Sequence, residues 1–291
     1  MDSSQKDKIS RRSMRSNKRK RIDNENDPKT ANTACEKIQL VKRKKTIEMS
    51  EDLLEKVQPL KMSNIMKLFC RAGSYKEFYD HCVKVMNDNH DCVHFANKLT
   101  VEQADTNIWH ELRIGRITAS RLHETTRCTM KKGSLVDKFL GKKSGWSFAM
   151  MRGTILEEFV FEEVKKEFPS LSRSGLIMNQ NIHPFFAASP DGIHEDFVLE
   201  IKCPNTKNTF ETYIDVNKLS KKYFAQIQLQ MLISERKKAL LAVASLDFET
   251  TREFKKVWIT LDEDYMFEMI DQAEEFYEKA IFPALKKKFA R

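Results

Sequence analysis

The sequence predicts an α/β protein with a mixed sheet flanked by helices, and three observations carry that expectation. From Met150 to Phe168 the chain reads as one strong helix, with Leu156, Val160, Val164 and Phe168 recurring at four-residue steps. Three strand-like segments follow, around Gly175–Asn179, Phe185–Ser189 and Phe197–Cys203. Next comes a helix near Ser220–Glu235 with Phe224, Ile227, Met231 and Leu232 inward, then strands Ala239–Ser245 and Lys256–Leu261, and a long closing helix Tyr265–Phe289. Strands bounded by helices in this order bury their apolar faces as a sheet with helices packed on it.

Before this domain lies a region that reads as helical, residues 51–100. Leu53, Leu54 and Val57, then Ile65, Met66 and Phe69, recur at spacings of three and four. Ala72-Gly73 breaks the pattern. Ser74 and Glu77 then stand at capping-box spacing ahead of Tyr75, Phe78, Cys82 and Val85, which mark one helix face. The main domain is expected over 101–291, and no internal repeat is seen.

The net charge of +9 is concentrated at the start, where residues 1–50 hold 15 Lys/Arg against 7 Asp/Glu. With few large apolar residues and no sustained periodicity, this stretch is expected to be a disordered basic tail. Its runs KRKR (Lys18 to Arg21) and KRKK (Lys42 to Lys45) read as nuclear-import signals, as a sequence-independent phosphate-binding arm, or as both, against the plainer reading of a solubilising tail. The nucleus is the expected location. No apolar run approaches the length of a membrane span and the start lacks a secretory apolar region, so no membrane partner is expected. The six cysteines contain no C-x-x-C pair and are expected to be reduced thiols. His81, Cys82, His90, Cys92 and His94 are zinc-type ligands close in sequence, but their spacing fits no standard finger.

The chemistry concentrates in SPDGIHEDFVLEIKCP, from Ser189 to Pro204. Phe197, Leu199, Ile201 and Cys203 alternate with Val198, Glu200 and Lys202, which is the period of a strand with one apolar face. On the plainer reading the second face is a solvated Glu/Lys pair beside an Asp-Gly turn. On the sharper reading Asp191 is brought beside Glu200 by a bend, with Lys202 on the same side. Hydrolysis of a phosphodiester uses divalent cations, and hard cations such as magnesium take oxygen ligands. Asp191 and Glu200 offer two, the backbone carbonyl of Ile201 offers another, and Glu157 on the preceding helix is placed to complete the set.

These residues also resemble a known family. Pro190-Asp191 followed by Glu200-Ile201-Lys202 is similar to the PD-(D/E)xK nuclease signature, and the surrounding text resembles the YqaJ viral recombinase group, which includes lambda exonuclease. Three further segments resemble it in order: WHELRIGRITAS (Trp109 to Ser120), RGTILE (Arg152 to Glu157) and YFAQIQ (Tyr223 to Gln228). The similarity spans about residues 101–270.

The resemblance implies a restriction-endonuclease-like core. It implies that the residues matching Asp191 and Glu200 bind catalytic magnesium, that Glu157 is a further ligand, and that Lys202 positions or activates the attacking water. It also implies that Arg113 and Ser120 contact the 5′ phosphate of a DNA end and that Gln226 lies close to the metal site. From the residues alone, Arg113 reads equally as a surface arginine, Ser120 as a helix cap or buried hydroxyl, and Gln226 with Gln230 as polar packing on one helix face. The expected activity is that of a magnesium-dependent nuclease, with manganese as a substitute, acting 5′ to 3′ on double-stranded DNA ends in recombination or repair. A homo-oligomer, ring-shaped in the phage relative, and a single-strand annealing partner protein are suggested by the same resemblance. The rival reading is a DNA-end-binding module that has kept a nuclease fold without catalysis.

Overall fold

The computed structural model describes residues 51–69, 72–142, 148–179 and 183–289. The basic tail, with its two cationic runs and Cys35, and also Cys70, lie outside the described residues. Helices α1 (Glu51–Lys56), α2 (Met62–Leu68), α3 (Tyr75–Asp88) and α4 (His90–Leu99) form the region expected to be helical. The capping box at the start of α3 is present in both directions: the Glu77 amide donates to the Ser74 hydroxyl, and the Ser74 amide donates to the Glu77 carboxylate at 2.6 Å. Phe78, Cys82 and Met86 then fall on one buried face at four-residue steps. Phe78 stacks between Phe185 and Phe282, with ring centroids 5.4 and 4.9 Å away, so α3 is packed into the same core as the C-terminal helix.

After α5 (Asn107–Leu112), Gly115 takes a positive φ of 71° and turns the chain into β1 (Ile117–Thr118). Arg116, at this turn, is fully buried, and its guanidinium donates to the carbonyls of Leu112 and Leu60 at 2.6 and 2.7 Å. Both carbonyls close helical segments, the ends at which carbonyls lack intrahelical partners and attract a cation. The buried charge thus ties the N-terminal helices to the main domain. Helices α6 (Leu122–Arg127) and α7 (Ser134–Phe139) follow, and then the long helix α8 (Phe148–Glu167), where Leu156, Val160 and Val164 are buried as their spacing predicts.

The strands form two sheets rather than the single central sheet expected. In one, β3 (Phe186–Ala188) lies between β1, parallel to it, and β2 (Ile177–Met178), antiparallel. In the other the order is β4 (Gly192–Ile193), β5 (Phe197–Lys202), β6 (Lys238–Ala244), β7 (Phe254–Thr260). Here β5 and β6 are parallel while β4–β5 and β6–β7 are antiparallel, so this sheet is mixed. The separation falls at Ser189-Pro190-Asp191, where proline has no amide to continue a ladder.

Helices α9 (Lys207–Tyr213) and α10 (Lys221–Ile233) make the crossover from β5 to β6. A short α11 (Phe248–Thr251) precedes β7. The closing helix starts two residues earlier than expected, as α12 (Glu263–Phe276), and widens into a π-helical turn at Tyr277–Ile281 before α13 (Phe282–Phe289). The Tyr277 hydroxyl donates to the Gly115 carbonyl at 2.8 Å within that turn, and its ring stacks on Phe185 at 4.1 Å. Among the described residues no helix is long and apolar enough to cross a membrane.

Candidate active site

Strand β5 is covered on both faces, which departs from the single apolar face read in its alternation. Leu199 and Ile201 pack with Leu156, Val160 and Val164 of α8, while Val198 packs with Ile227 and Met231 of α10. Glu200 shares the α10 side and is 3% exposed. A carboxylate so placed needs polar partners. Gln226 Nε2 donates to Glu200 Oε1 at 2.6 Å, and Gln230 Nε2, one turn further along α10, donates to Oε2 at 2.7 Å. The Lys202 ammonium pairs with Oε1 of the same carboxylate and lies 4.9 Å from the centre of the Tyr223 ring. The solvated Glu/Lys face of the plainer reading is therefore a buried carboxylate with a donor on each oxygen.

The bend at Pro190 brings Asp191 to the other edge of the strand. Its amide donates to Leu199 O at 2.9 Å, and the Ile201 amide donates to Asp191 Oδ2 at 2.6 Å. Phe197 O and Leu199 O both accept from the β4 side, so by strand alternation the Ile201 carbonyl faces that edge too, beyond the last residue of β4. Glu157 approaches from α8, half-buried, with Arg173 Nη1 3.4 Å from its Oε1.

Electrostatics couple the carboxylates. Burial raises the Asp191 pKa well above the usual range, and Glu157 and Glu200 add to the rise, against Lys202 and the Ile201 amide. Burial also raises Glu157, with Arg173 opposing and Glu200 reinforcing. Burial on its own would lower the Lys202 ammonium, but Glu200 and Asp191 outweigh it and hold Lys202 above its ordinary value. Three carboxylates and a carbonyl offer only hard oxygen donors, and their mutual repulsion is of the kind a divalent cation relieves, so the residues fit such an ion. Among the described residues, the three metal-type side chains whose ligand atoms all lie within 4.8 Å of one another are instead His194, Glu195 and Asp196 at the β4–β5 hairpin turn, where His194 Nδ1 already accepts the Asp196 amide at 3.1 Å and its ring stacks on Phe197. That turn adjoins the opposite end of β5 from Lys202.

Arg113, at the end of α5, lies 3.6 Å over the Trp109 ring, and its Nη2 donates to Thr118 Oγ1 at 3.4 Å. Burial, and then neighbouring Arg121, lower its pKa to about 9, which leaves it charged at neutral pH. Ser120 follows on a short 3-10 turn (Ala119–Arg121), its hydroxyl 3.5 Å from that of Thr118. Trp109 Nε1 donates to Ser189 Oγ at 3.0 Å, two residues before Asp191, so the Arg113 group is tied to the strand end that carries the acidic cluster.

Asp191, Glu200 and Lys202 stand at one end of β5, with Glu157 on α8 near enough to raise the Asp191 pKa, and with the family that the sequence matches this defines the class: the protein is a nuclease enzyme. The chain belongs to the viral alkaline exonuclease family, whose sequence profile matches residues 8–168, more than half of its length. The profile of the YqaJ-like viral recombinase domain matches residues 108–237 and spans Arg113, Ser120, Glu157, Asp191, Glu200, Lys202 and Gln226. The alkaline exonuclease profile also covers the N-terminal helices, which had no counterpart in the sequence resemblance.

Among solved structures, an alkaline exonuclease of Laribacter hongkongensis (LHK-Exo) is 25% identical, with a TM-score of 0.50 over 63% of this chain and 94% of that one. The same exonuclease in complex with dAMP gives 24% identity and a TM-score of 0.53 over the same shares. No curated protein matches the chain by sequence.

The zinc-type residues on α3 and α4 are not gathered: Cys82 is buried in the core, Cys92 is half-buried, and His90 and His94 are exposed. Arg173 and Trp109 take part in the site without a role read from sequence, and Gln230, read only as polar packing, holds the Glu200 carboxylate. Gln230 was legible as the next member of the Gln226 stripe. Arg173, in an irregular segment between α8 and β2, carries no periodic signal.

Proposed function

We propose that this nuclease is a magnesium-dependent deoxyribonuclease that degrades linear duplex DNA from its ends, 5′ to 3′, in recombination or repair. One observation carries the reading: at the end of one buried strand Asp191 accepts the Ile201 amide, Lys202 pairs with Glu200, and the charges of Glu157 and Glu200 both reach Asp191 and raise its pKa. Asp191, Glu157, Glu200 and Ile201 are the residues that would hold magnesium, with manganese as its substitute. When bound, the ion supplies charge neutralisation at the phosphate and activates water.

The chain's own groups do the rest. Gln226 and Gln230 fix the Glu200 carboxylate by one donor on each oxygen, so its orientation is set before substrate arrives. Lys202 stays protonated and directs an ammonium at the scissile phosphate and the attacking water. Arg113, held flat against Trp109, presents a fork to the 5′ phosphate beside the Ser120 hydroxyl, which positions the terminal nucleotide for cleavage. Charge-matched capture of a terminal phosphate favours an end-directed enzyme over one that cuts internally.

The test is purified protein with magnesium on linear duplex DNA and on the same DNA as a closed circle. The expected result is loss of the linear form alone, beginning from 5′-phosphorylated ends, with no cleavage in chelator. Calcium, larger and less strict in geometry, is expected to support DNA binding with little cleavage. Cleavage of circle and line at equal rates would overturn the end-directed reading, and equal turnover with calcium and magnesium would overturn the metal-site reading.

The basic tail supports two further parts of the proposal: nuclear import, and a phosphate-binding grip that strengthens binding at low salt. Deleting residues 1–50 is expected to weaken DNA binding and flatten its salt dependence while cleavage persists, and to abolish nuclear accumulation of a tagged protein. The homo-oligomer and the annealing partner rest on the family resemblance alone.

A further inference from the structure

Arg173 is the cation that the acidic cluster recruits from outside its own motifs. Its guanidinium lies 3.8 Å over the Phe161 ring, Nη2 pairs with Glu158 Oε2 at 2.5 Å, and Nη1 lies 3.4 Å from Glu157 Oε1 and 3.5 Å from the Asp191 carbonyl. Glu157, Glu158 and Phe161 sit at helical spacing on α8, so one helix face supplies a platform and two carboxylates to one fork.

The backbone under Arg173 is fastened on both sides. Ser172 exchanges two hydrogen bonds with Ile193, at 2.8 and 3.0 Å. Gln103 Nε2 donates to Ser174 O and to Pro190 O, both at 3.0 Å, which staples the Arg173 segment to the residue preceding Asp191. Asn97 Nδ2 adds a bond to Ser174 Oγ at 3.2 Å.

We propose that Arg173 is a positioning residue for the divalent cation: it grips one oxygen of Glu157 and the backbone of Asp191, and so holds the helix carboxylate and the strand carboxylate in register for the ion. This rests on the metal-site reading above. The strong contact, to Glu158, is the outer one, and it keeps the guanidinium anchored away from the ion while Nη1 steadies the Glu157 oxygen it faces. Residues that orient metal ligands in this way typically change metal affinity 10–100-fold when removed.

A cation this close to a metal site could instead act through its charge alone, and the two roles give opposite signs. If charge repulsion governs, Arg173→Met tightens magnesium binding and Arg173→Lys, which keeps the charge, leaves it unchanged. If positioning governs, both variants weaken it, because neither retains the fork.

The experiment is a magnesium titration of the full-length protein without DNA, read by calorimetry and by the rise in melting temperature, for wild type, Arg173→Met and Arg173→Lys. The expected result is a dissociation constant raised about tenfold in both variants, with the cleavage rate recovering at saturating magnesium. Wild-type affinity in the variants, tighter binding by Arg173→Met, or a rate loss that saturating magnesium does not restore overturns the proposal while leaving the metal site standing. A wild-type protein that shows no magnesium response overturns the metal-site reading itself. If Arg173→Met fails to fold, Arg173→Lys decides the matter, since it retains the cation over Phe161.

Discussion

Gln230 reaches Glu200 from inside the protein, its amide 2.7 Å from a carboxylate oxygen on a strand that is buried on both faces. This changes what a substitution at Glu200 tests. Truncation to alanine strips Gln226, Gln230 and Lys202 of a shared partner, and leaving buried polar groups unpaired costs about 1–3 kcal/mol each. Glu200→Ala is therefore expected to lose cleavage and stability together. Glu200→Gln keeps the shape but offers one acceptor oxygen where three donors meet; it is expected to lose most of the cleavage rate and to lose less stability than Glu200→Ala. Gln230→Leu, which removes one donor, is expected to lower stability by about 1–3 kcal/mol and to reduce the rate. Thermal melting alongside a linear-duplex assay separates the three.

Asp191 makes the protein's stability depend on pH in a direction opposite to that of a salt-bridged carboxylate. Burial, then Glu157 and Glu200, raise its pKa in the folded state. A carboxyl raised in this way contributes stability below its unfolded pKa and loses it as pH climbs through the folded value. Without divalent ions the melting temperature is expected to fall as pH rises above the ordinary carboxylate range, and magnesium is expected to abolish the fall. Asp191→Asn keeps an oxygen for the Ile201 amide but carries no charge. It is expected to be inactive, to flatten the profile, and to melt above metal-free wild type at neutral pH by roughly 2–4 °C for each kcal/mol of repulsion relieved. A melting temperature that rises over the same pH range in metal-free wild type would contradict the coupling.

Arg113 is held by stacking at 3.6 Å on Trp109 rather than by a carboxylate in the described contacts, so its charge is available to an anion. Arg113→Lys keeps the charge but loses both the planar fork and the stack. Its expected effect is on choice of end: the rate ratio between 5′-phosphorylated and 5′-hydroxyl duplex is expected to fall about tenfold, the scale of about 1.4 kcal/mol for a charge-assisted bidentate contact. An unchanged ratio with an unchanged rate would remove Arg113 from recognition of the DNA end.

Much of this architecture was legible because its signals are local. The capping box at Ser74 and Glu77, the four-residue stripe of α8 and the strands β5, β6 and β7 fell where periodicity placed them. The two-residue strands β1 and β4 were not legible, since Ile117–Thr118 and Gly192–Ile193 are too short to show a period and exist through pairing with distant partners. The division into two sheets was hidden for the same reason: Phe186 pairs with Ile117, about seventy positions earlier, and no local pattern records that. Alternation in Phe197–Cys203 correctly put Glu200 and Lys202 on one side, but burial of that side by α10 is a tertiary fact. Arg173 shows the limit most clearly, because everything that gives it meaning comes from α8, α4 and the Pro190 turn.

Gly175 tests how firmly the segment carrying Arg173 must be seated. Its φ is not in the left-handed region, so conformational freedom is not the reason for glycine. An added Cβ would lie 2.0 Å from the Asn97 carbonyl oxygen and 2.4 Å from Thr100 Oγ1, the same hydroxyl that accepts the Leu176 amide at 2.7 Å. The obstructing carbonyl is backbone at the end of α4 and cannot swing aside, so helix and strand segment must part. Gly175→Ala is expected to destabilise the protein by about 1–3 kcal/mol or more, the usual scale for overpacking a tight site, whereas Gly153→Ala on α8, where a Cβ meets nothing within 4 Å, is expected to be neutral or mildly stabilising. Because the shift would also carry Ser174 and Arg173 away from Gln103, the Gly175→Ala protein that remains folded is expected to need more magnesium for half-maximal cleavage. Denaturant melts of the two alanine variants, followed by magnesium titration of the cleavage rate, check both parts; equal stability of the two would show that α4 yields at this contact.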